Sequence, residues 1–140
     1  MRNWVIMTNT PNPAKFSHSI QVQPTDIDIL GHVNNVVYLR WVQEVATAHW
    51  NHAASENLKN LYLWVVLRHE IDYLRPAFLT DQIQGFTWVG EYQGAKFDRF
   101  VTLYRAGSDQ LLASAKTTWC LLDAATMRPK RIDSDILAIL

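Results

Sequence analysis

Apolar and polar residues alternate along several stretches of the chain with the period of two that is typical of β-strands. The last three stretches are separated only by short turns that contain Gly94 and Gly107. Such short connections require antiparallel pairing, because a parallel crossover needs about a dozen residues. The pattern predicts an antiparallel sheet whose five strands are residues 16–23, 61–73, 82–92, 96–106 and 110–122.

One segment has the period of an α-helix instead. From Val36 to about Asn51 the chain contains no glycine or proline, and apolar residues recur three and four positions apart. Asn34 or Asn35 stands where an N-cap is expected. These elements bury their apolar faces if the sheet curls around the helix, so the predicted class is α+β with two layers. The predicted buried stripe is Val37, Trp41 and Ala48, flanked by Tyr38, Val42 and Val45.

Composition narrows the class of protein further. With 140 residues, of which 49% are hydrophobic, the chain suits one domain over residues 1–140 with a core from about 16 to 133. The 13 basic and 13 acidic residues cancel, which argues against nucleic-acid or anionic-membrane partners. Residues 1–7 lack the apolar region of a signal peptide, and the lone Cys120 suits a buried strand position. A cytoplasmic location is expected.

The polar loop before the predicted helix carries an ordered motif. Residues 26–38 follow the pattern Asp-x-Asp-x-x-Gly-His-Val-Asn-Asn-x-x-Tyr, which resembles the loop of the 4-hydroxybenzoyl-CoA thioesterase group of hotdog proteins. The loop is also similar to that of the plant acyl-ACP thioesterases. Residues 66–77, with Tyr-Leu-Arg-Pro before Ala77, and the closing segment 123–132 resemble the same group. The resemblance covers roughly residues 17–133.

This resemblance implies a hotdog fold, in which a five-stranded antiparallel sheet is wrapped around one long helix. It also implies a homodimer or homotetramer with active sites between protomers, and hydrolysis of an acyl-CoA or acyl-ACP thioester to free acid and thiol. Asp28 is then the catalytic carboxylate, and neither a metal nor a cofactor is expected. Two alternatives stay open: a non-catalytic protein that binds acyl thioesters, and an enoyl-thioester hydratase, whose Asp-x-Asn-Pro-x-His loop is absent here.

The chemistry of thioester hydrolysis supports the same residues. It needs a nucleophile or a base that activates water, and donors aimed at the oxygen that becomes negative in the transition state. Asp28 can act in either role. The free amides at a helix N-terminus point toward the preceding loop and carry partial positive charge. We expect the backbone N–H of Asn35 to be the polarising donor.

Four further side chains complete the predicted site. His32 is a catalytic candidate and Asn34 a substrate-binding one, although the plant pattern has asparagine where this chain has Leu30. Tyr38 ends the motif and is a second substrate-binding candidate. Glu44 shares the predicted buried stripe, so desolvation would make it a general base; the alternative is a structural hydrogen bond or an ion pair with Arg40.

Basic and histidine residues outside the loop are weaker candidates. Arg99 is predicted to bind substrate, with Lys96, Arg128, Lys130 and Arg131 as other groups able to meet the phosphates of coenzyme A or phosphopantetheine. His49 and His52 have no acidic or cysteine residues at metal-ligand spacing. We expect them to be solvated or to cap the helix.

Overall fold

The fold is seen in a computed structural model that describes residues 15–140; residues 1–7, which the sequence predicts not to be a signal peptide, lie outside this range. One antiparallel sheet has the strand order β1-β3-β4-β5-β2. All five predicted strands are confirmed, each to within two residues at either end. They are β1 (Phe16–Gln21), β2 (Tyr62–Tyr73), β3 (Gln82–Gln93), β4 (Lys96–Arg105) and β5 (Leu111–Asp123).

The predicted long helix is also confirmed, as α1 (Asn35–Ala53). Asn34 is its N-cap, and its side-chain oxygen accepts the Val36 N–H at 3.0 Å. A cap of this kind satisfies one of the amides that the first helical turn leaves without a partner. The buried face packs on one side of the sheet and consists of Val37, Tyr38, Trp41, Val42, Val45 and Ala46.

Two short helices and one 3-10 turn were not predicted. The 3-10 turn is Pro24–Asp26, and the helices are α2 (Glu56–Leu61) and α3 (Ser134–Leu137). Segments of four to six residues are too short for a helical period to show in the sequence. The sequence signal for such a helix is its capping residue: Ser55 is the N-cap of α2, and its side chain accepts the Leu58 N–H.

The helix lies close to the sheet at Gly85 on β3. A Cβ atom added at Gly85 would clash with Cγ2 of Val45, so a larger residue requires the Val45 side chain or α1 to move. The core on this side includes the fully buried Ile83, Leu103 and Leu112. A second cluster, around Phe97 and Trp119, lies under the C-terminal half of α1.

Two further expectations concern the described residues. Cys120 is buried on β5, as its place in the predicted strand indicated. Within residues 15–140, no helix is both long and apolar enough to cross a bilayer.

Candidate active site

The loop between the 3-10 turn and α1 is held by its own backbone. The Asp28 N–H donates to the His32 carbonyl at 2.9 Å, and the Asn34 N–H donates to the Asp26 carbonyl at 3.0 Å. The Val33 N–H reaches the Ala77 carbonyl at 2.8 Å, which ties the loop to the turn after β2. These bonds fix the position of the loop relative to the start of α1.

The two aspartates of the motif have different environments. Asp26 is 2% exposed; its carboxylate accepts the Gln23 N–H at 2.8 Å and Nη2 of Arg40 at 2.7 Å. Asp28 is only partly buried, and its Oδ1 accepts the Leu30 N–H at 2.9 Å. Within residues 15–140, Oδ2 of Asp28 accepts no hydrogen bond. Asp26 is therefore occupied in holding the loop, whereas Asp28 has an oxygen available for chemistry.

The start of α1 leaves one amide free. The Val36 and Val37 N–H groups donate to the side chain and carbonyl of Asn34, and the Asn34 N–H is taken by Asp26. In the part of the chain that the structure describes, the Asn35 N–H has no acceptor. This amide lies at the positive end of the helix macrodipole, seven residues after Asp28 in the chain.

The remaining residues of the motif make contacts of their own. His32 is partly buried, with Nδ1 3.9 Å from Oδ1 of Asp28 and 3.4 Å from the Val33 carbonyl. The Asn34 oxygen is used as the helix cap. Tyr38 is 2% exposed, and its hydroxyl donates to the Arg75 carbonyl at 2.8 Å. Burial raises the pKa of Tyr38, and the residue joins the helix start to the end of β2.

Glu44 does not lie on the buried face, contrary to the expectation from the stripe. Its side chain is 47% exposed and accepts a hydrogen bond from Nε2 of His18 on β1 at 3.0 Å. The buried face is centred on Trp41, Val42 and Val45, so Glu44 falls at its border. The alternative ion pair with Arg40 is also wrong, because Arg40 pairs with Asp26.

Arg99 lies in the interior and not near a surface turn. It is 2% exposed in the middle of β4, and its Nη1 donates to Oγ1 of Thr87 and to Nδ1 of His49, both at 3.0 Å. This placement does not suit the phosphates of a bulky carrier. His49 is neither solvated nor a cap, since its ring stacks on Phe16 with centroids 4.9 Å apart. Burial, followed by the charge of Arg99, lowers the pKa of His49 to about 4.

A cavity of about 290 Å³ lies between the C-terminal half of α1 and strands β2, β4 and β5. Its walls are largely aromatic, with Trp50, Trp64, Phe97 and Trp119, and Arg99 also lines it. The indole N–H of Trp119 is buried with no hydrogen-bond partner in the described residues. Sequence reasoning predicted Arg99 as a substrate-binding residue but did not predict this cavity, although the alternation on β4 places Arg99 on the same inward face as Phe97 and Val101.

His69 on β2 is another polar residue that was missed. Its Nε2 lies 3.2 Å from the Gln43 amide nitrogen, and its Nδ1 lies 2.8 Å from Oγ1 of Thr117. Because an amide nitrogen only donates, Nε2 is the acceptor and Nδ1 carries the proton. Burial lowers the pKa of His69. The group links the middle of α1 to β2 and β5.

Several known proteins are similar to this chain in sequence or in structure. The chain is 27% identical over 127 residues to the long-chain acyl-CoA thioesterase FadM of Escherichia coli, covering 84% of this chain and 90% of that protein. Among solved structures, a 1,4-dihydroxy-2-naphthoyl-CoA thioesterase from Synechocystis matches with a TM-score of 0.76 and 19% identity, over 89% and 94% of the two chains. A thioesterase from Thermus thermophilus complexed with coenzyme A and zinc matches with a TM-score of 0.75 and 24% identity, over 87% and 88%.

These similarities agree with the sheet and helix described above. The α+β class and the hotdog fold, with a five-stranded antiparallel sheet against one long helix, are confirmed. A family model for the thioesterase-like superfamily matches residues 22–140, which include the loop of Asp28, all of α1 and the cavity. This chain belongs to the thioesterase-like superfamily.

Proposed function

We propose that the protein hydrolyses acyl thioesters of coenzyme A or acyl carrier protein to the free acid and the thiol. One observation carries the proposal: a carboxylate with an available oxygen, on Asp28, stands in a fixed loop before a helix whose Asn35 N–H has no acceptor in the described residues. The first group can attack or activate water, and the second can stabilise an oxyanion. The family and the relative FadM support the same reaction class.

The reaction balances by either of two routes. As a base, Asp28 takes a proton from water while the hydroxide adds to the thioester carbonyl, and the resulting oxyanion accepts the Asn35 N–H. The C–S bond then breaks, and the thiolate takes the proton from Asp28. As a nucleophile, Asp28 forms a mixed anhydride and expels the thiolate; water then cleaves the anhydride, which restores the Asp28 carboxylate and releases the acid and the proton that the thiolate takes up. Tyr38 and Asp26 keep the loop and helix start in place for both routes.

Thiol release from acyl-CoA thioesters of varied chain length tests this proposal. We expect Asp28→Asn to lower kcat by at least about 100-fold, as loss of a principal acid–base group predicts. Asp109→Asn, the same change at an exposed turn position, should leave the rate unchanged. If the wild-type protein binds these thioesters but releases no thiol, a binding role replaces the proposed hydrolysis.

The carrier is decided by a parallel measurement. The same acyl group is supplied on coenzyme A and on acyl carrier protein, and kcat/KM is compared. The relative FadM acts on acyl-CoA, so we expect the coenzyme A thioester to be the better substrate. A cytoplasmic location is part of the proposal, because both carriers are found there.

We further propose that the active unit is a homodimer joined through β2. In the described residues this strand is 12 residues long and pairs on one side only, with β5. A long apolar edge of this kind invites pairing with another chain. The exposed side chains around it include Leu63, Leu67 and Tyr73, and Ile29 and Leu30 beside Asp28 are 100% and 74% exposed.

Antiparallel pairing of β2 with its copy would join two regions that lie apart in one chain. The Tyr62 end of β2 lines the cavity, and the Tyr73 end touches Tyr38 near the start of α1. Along α1, Asn35 and Trp50 are about 22 Å apart at 1.5 Å per residue. A two-fold axis near the middle of β2 brings the cavity of one protomer toward Asp28 of the partner subunit. An acyl group cleaved there would enter that cavity.

The oligomeric state tests this part of the proposal. Light scattering after size-exclusion chromatography should give a dimer or a dimer of dimers for the wild-type protein. Leu67→Lys places a charge on the β2 edge and should shift the protein toward monomer, with loss of activity. Leu79→Lys, at a similarly exposed leucine outside β2, is the matched control. A fully active monomer would contradict the proposed interface.

A further inference from the structure

The guanidinium of Arg99 is a buried charge without a counter-ion. Its two hydrogen bonds go to Thr87 and His49, and both use Nη1. No carboxylate pairs with it in residues 15–140, and the preceding residues contain no aspartate or glutamate. A buried charge that lacks an opposite charge is costly to fold. Buried charges are normally paired, and charged groups in unusual environments cluster at functional sites.

The two partners of Arg99 do not neutralise it. The Thr87 hydroxyl donates to the Phe100 carbonyl at 2.8 Å and accepts from Arg99. It is a neutral group, so it supplies no negative charge to Arg99. His49 accepts through Nδ1, because arginine has donors only. With the pKa of His49 lowered to about 4 and that of Arg99 lowered by burial to about 10, the cluster keeps one positive charge near neutral pH.

A second unsatisfied donor lies in the same cavity. Trp119 is 9% exposed and lines the cavity with Arg99, and its indole N–H has no partner in the described residues. Buried N–H groups are nearly always hydrogen-bonded. Arg99 and Trp119 thus have N–H groups in this cavity that donate to no acceptor in the described residues. None of the residues that line the cavity is acidic. This arrangement indicates that the missing acceptor belongs to a ligand.

The size of the cavity limits that ligand. At roughly 30 Å³ per non-hydrogen atom, the volume of liquid water, the 290 Å³ cavity holds about ten such atoms. This volume suits a short acyl group. Its aromatic walls of Trp50, Trp64 and Phe97 fit methylene groups. Leu63 lines the cavity and is 40% exposed, so the cavity reaches the surface beside β2.

We infer that the cavity binds a short acyl chain whose far end carries a carboxylate, and that Arg99 and Trp119 donate to that carboxylate. The inference rests on the proposed thioesterase function and specifies its substrate class. The preferred substrates are then mono-thioesters of short dicarboxylic acids. The carboxylate supplies the counter-ion that the cavity lacks, and the aromatic residues enclose the intervening chain.

Paired substrates of equal chain length test this inference. Adipoyl-CoA carries a terminal carboxylate where hexanoyl-CoA carries a methyl group, and the methyl ester of adipoyl-CoA keeps the acceptor without the charge. We expect the wild-type protein to prefer adipoyl-CoA in kcat/KM by about 30- to 100-fold, the range of one charge-assisted hydrogen bond. The methyl ester should lie between the two.

Substitutions then assign the preference to residues. Arg99→Met removes the charge with an apolar chain of similar length, a change that buried ionic sites often tolerate. It should abolish the preference by lowering kcat/KM for adipoyl-CoA alone. Arg99→Lys should restore part of it. Trp119→Phe keeps an aromatic wall and should lower the adipoyl-CoA rate about 3- to 10-fold, as loss of one neutral donor predicts.

The outcomes separate this inference from the proposed function. If hexanoyl-CoA is hydrolysed as well as adipoyl-CoA, or if both Arg99→Met and Trp119→Phe affect the two substrates equally, the carboxylate site is wrong and the thioesterase function stands. If no thioester is hydrolysed, the proposed function fails. Calorimetry with the non-hydrolysable thioether analogues of both substrates then tests the cavity alone. Equal binding of the two analogues would overturn the inference.

Discussion

The Asp28 loop and the Arg99 cavity are two polar sites of this molecule, and they are built in opposite ways. The loop is largely exposed, and its backbone groups bond mostly to residues a few positions away. The cavity opens to the surface beside β2 but reaches inward to the buried Arg99, and it draws its residues from α1, α2, β2, β4 and β5. In the proposed function the loop acts on the thioester group that all substrates share, whereas the cavity receives the acyl chain in which they differ. Changes in the loop should therefore slow every substrate alike, and changes in the cavity should alter the ratio between substrates.

Removal of the Asn35 N–H should have the largest effect. Asn35→Pro deletes this donor alone, because proline is well accepted at the first helical position. The preceding Asn34 has φ −64° and ψ 139°, a conformation that suits the residue before proline. We expect kcat to fall about 100- to 1,000-fold for all acyl groups, as loss of one oxyanion donor does.

The control for this variant is Asn35→Ala, which keeps the backbone N–H and should keep most of the activity. Thermal unfolding of both variants should stay close to that of the wild-type protein. Equal activity of Asn35→Pro and Asn35→Ala would show that this amide is not the oxyanion donor. A loss of activity limited to one acyl group would contradict the expectation that changes in the loop slow all substrates alike.

Within the loop, the two aspartates should separate stability from turnover. Asp26→Ala leaves the Gln23 N–H without its acceptor and removes the buried partner of Arg40. We expect it to lower the free energy of unfolding by about 2 to 3 kcal/mol. Asp28→Ala loses only a hydrogen bond from the exposed Leu30 N–H and should cost less than about 1 kcal/mol while stopping turnover. Urea unfolding beside thiol release measures both quantities.

The smallest predicted effect is a pH dependence of stability that comes from the cavity cluster. The pKa of His49 is about 4 in the folded protein and about 6.5 when the chain is unfolded. Between these values the unfolded chain binds the proton and the folded one does not, so stability falls as the pH is lowered from about 6.5 to 4. The half-buried position reduces the contribution of His49 to about 1 to 2 kcal/mol. The lowered pKa of His69 acts in the same direction.

Urea unfolding at pH 7 and pH 5 checks this sign. His49→Asn keeps an acceptor near the place of Nδ1 and cannot be protonated, so it should lose less stability between the two values than the wild-type protein. His52→Asn, an exposed histidine three residues away, should follow the wild-type protein. If both variants have the wild-type slope, His49 is not held neutral by burial and Arg99.

The loop could be predicted because its functional residues lie close together in the sequence. Asp28, His32 and Asn35 stand in a fixed order, and a helix start is a local feature. The different fates of Asp26 and Asp28 could not be predicted, since they depend on Arg40 and on the depth of each carboxylate in the folded chain. The sheet could be predicted closely because its hairpins are short and the alternation on each strand is clear.

The cavity could not be predicted, because its members are up to seventy residues apart and meet only when the sheet has curled around α1. Alternation on β4 gave a partial signal for Arg99, but no local pattern indicates that an inward arginine lacks a counter-ion. Glu44 shows the converse limit. The helical period of 3.6 residues assigns Glu44 to the buried stripe. Whether its side chain is covered depends on how wide the buried face is in the folded protein, and the helical period does not indicate that width.

Gly85 has a consequence for how such a protein can change over generations. Because α1 rests against this residue through Val45, the distance between helix and sheet is constrained at a point between the loop and the cavity. Side chains around Trp50 and Trp119 can then be exchanged for larger or smaller ones while Asn35 stays where bond cleavage requires it. A descendant protein can thus change its range of substrates while its catalytic residues stay the same.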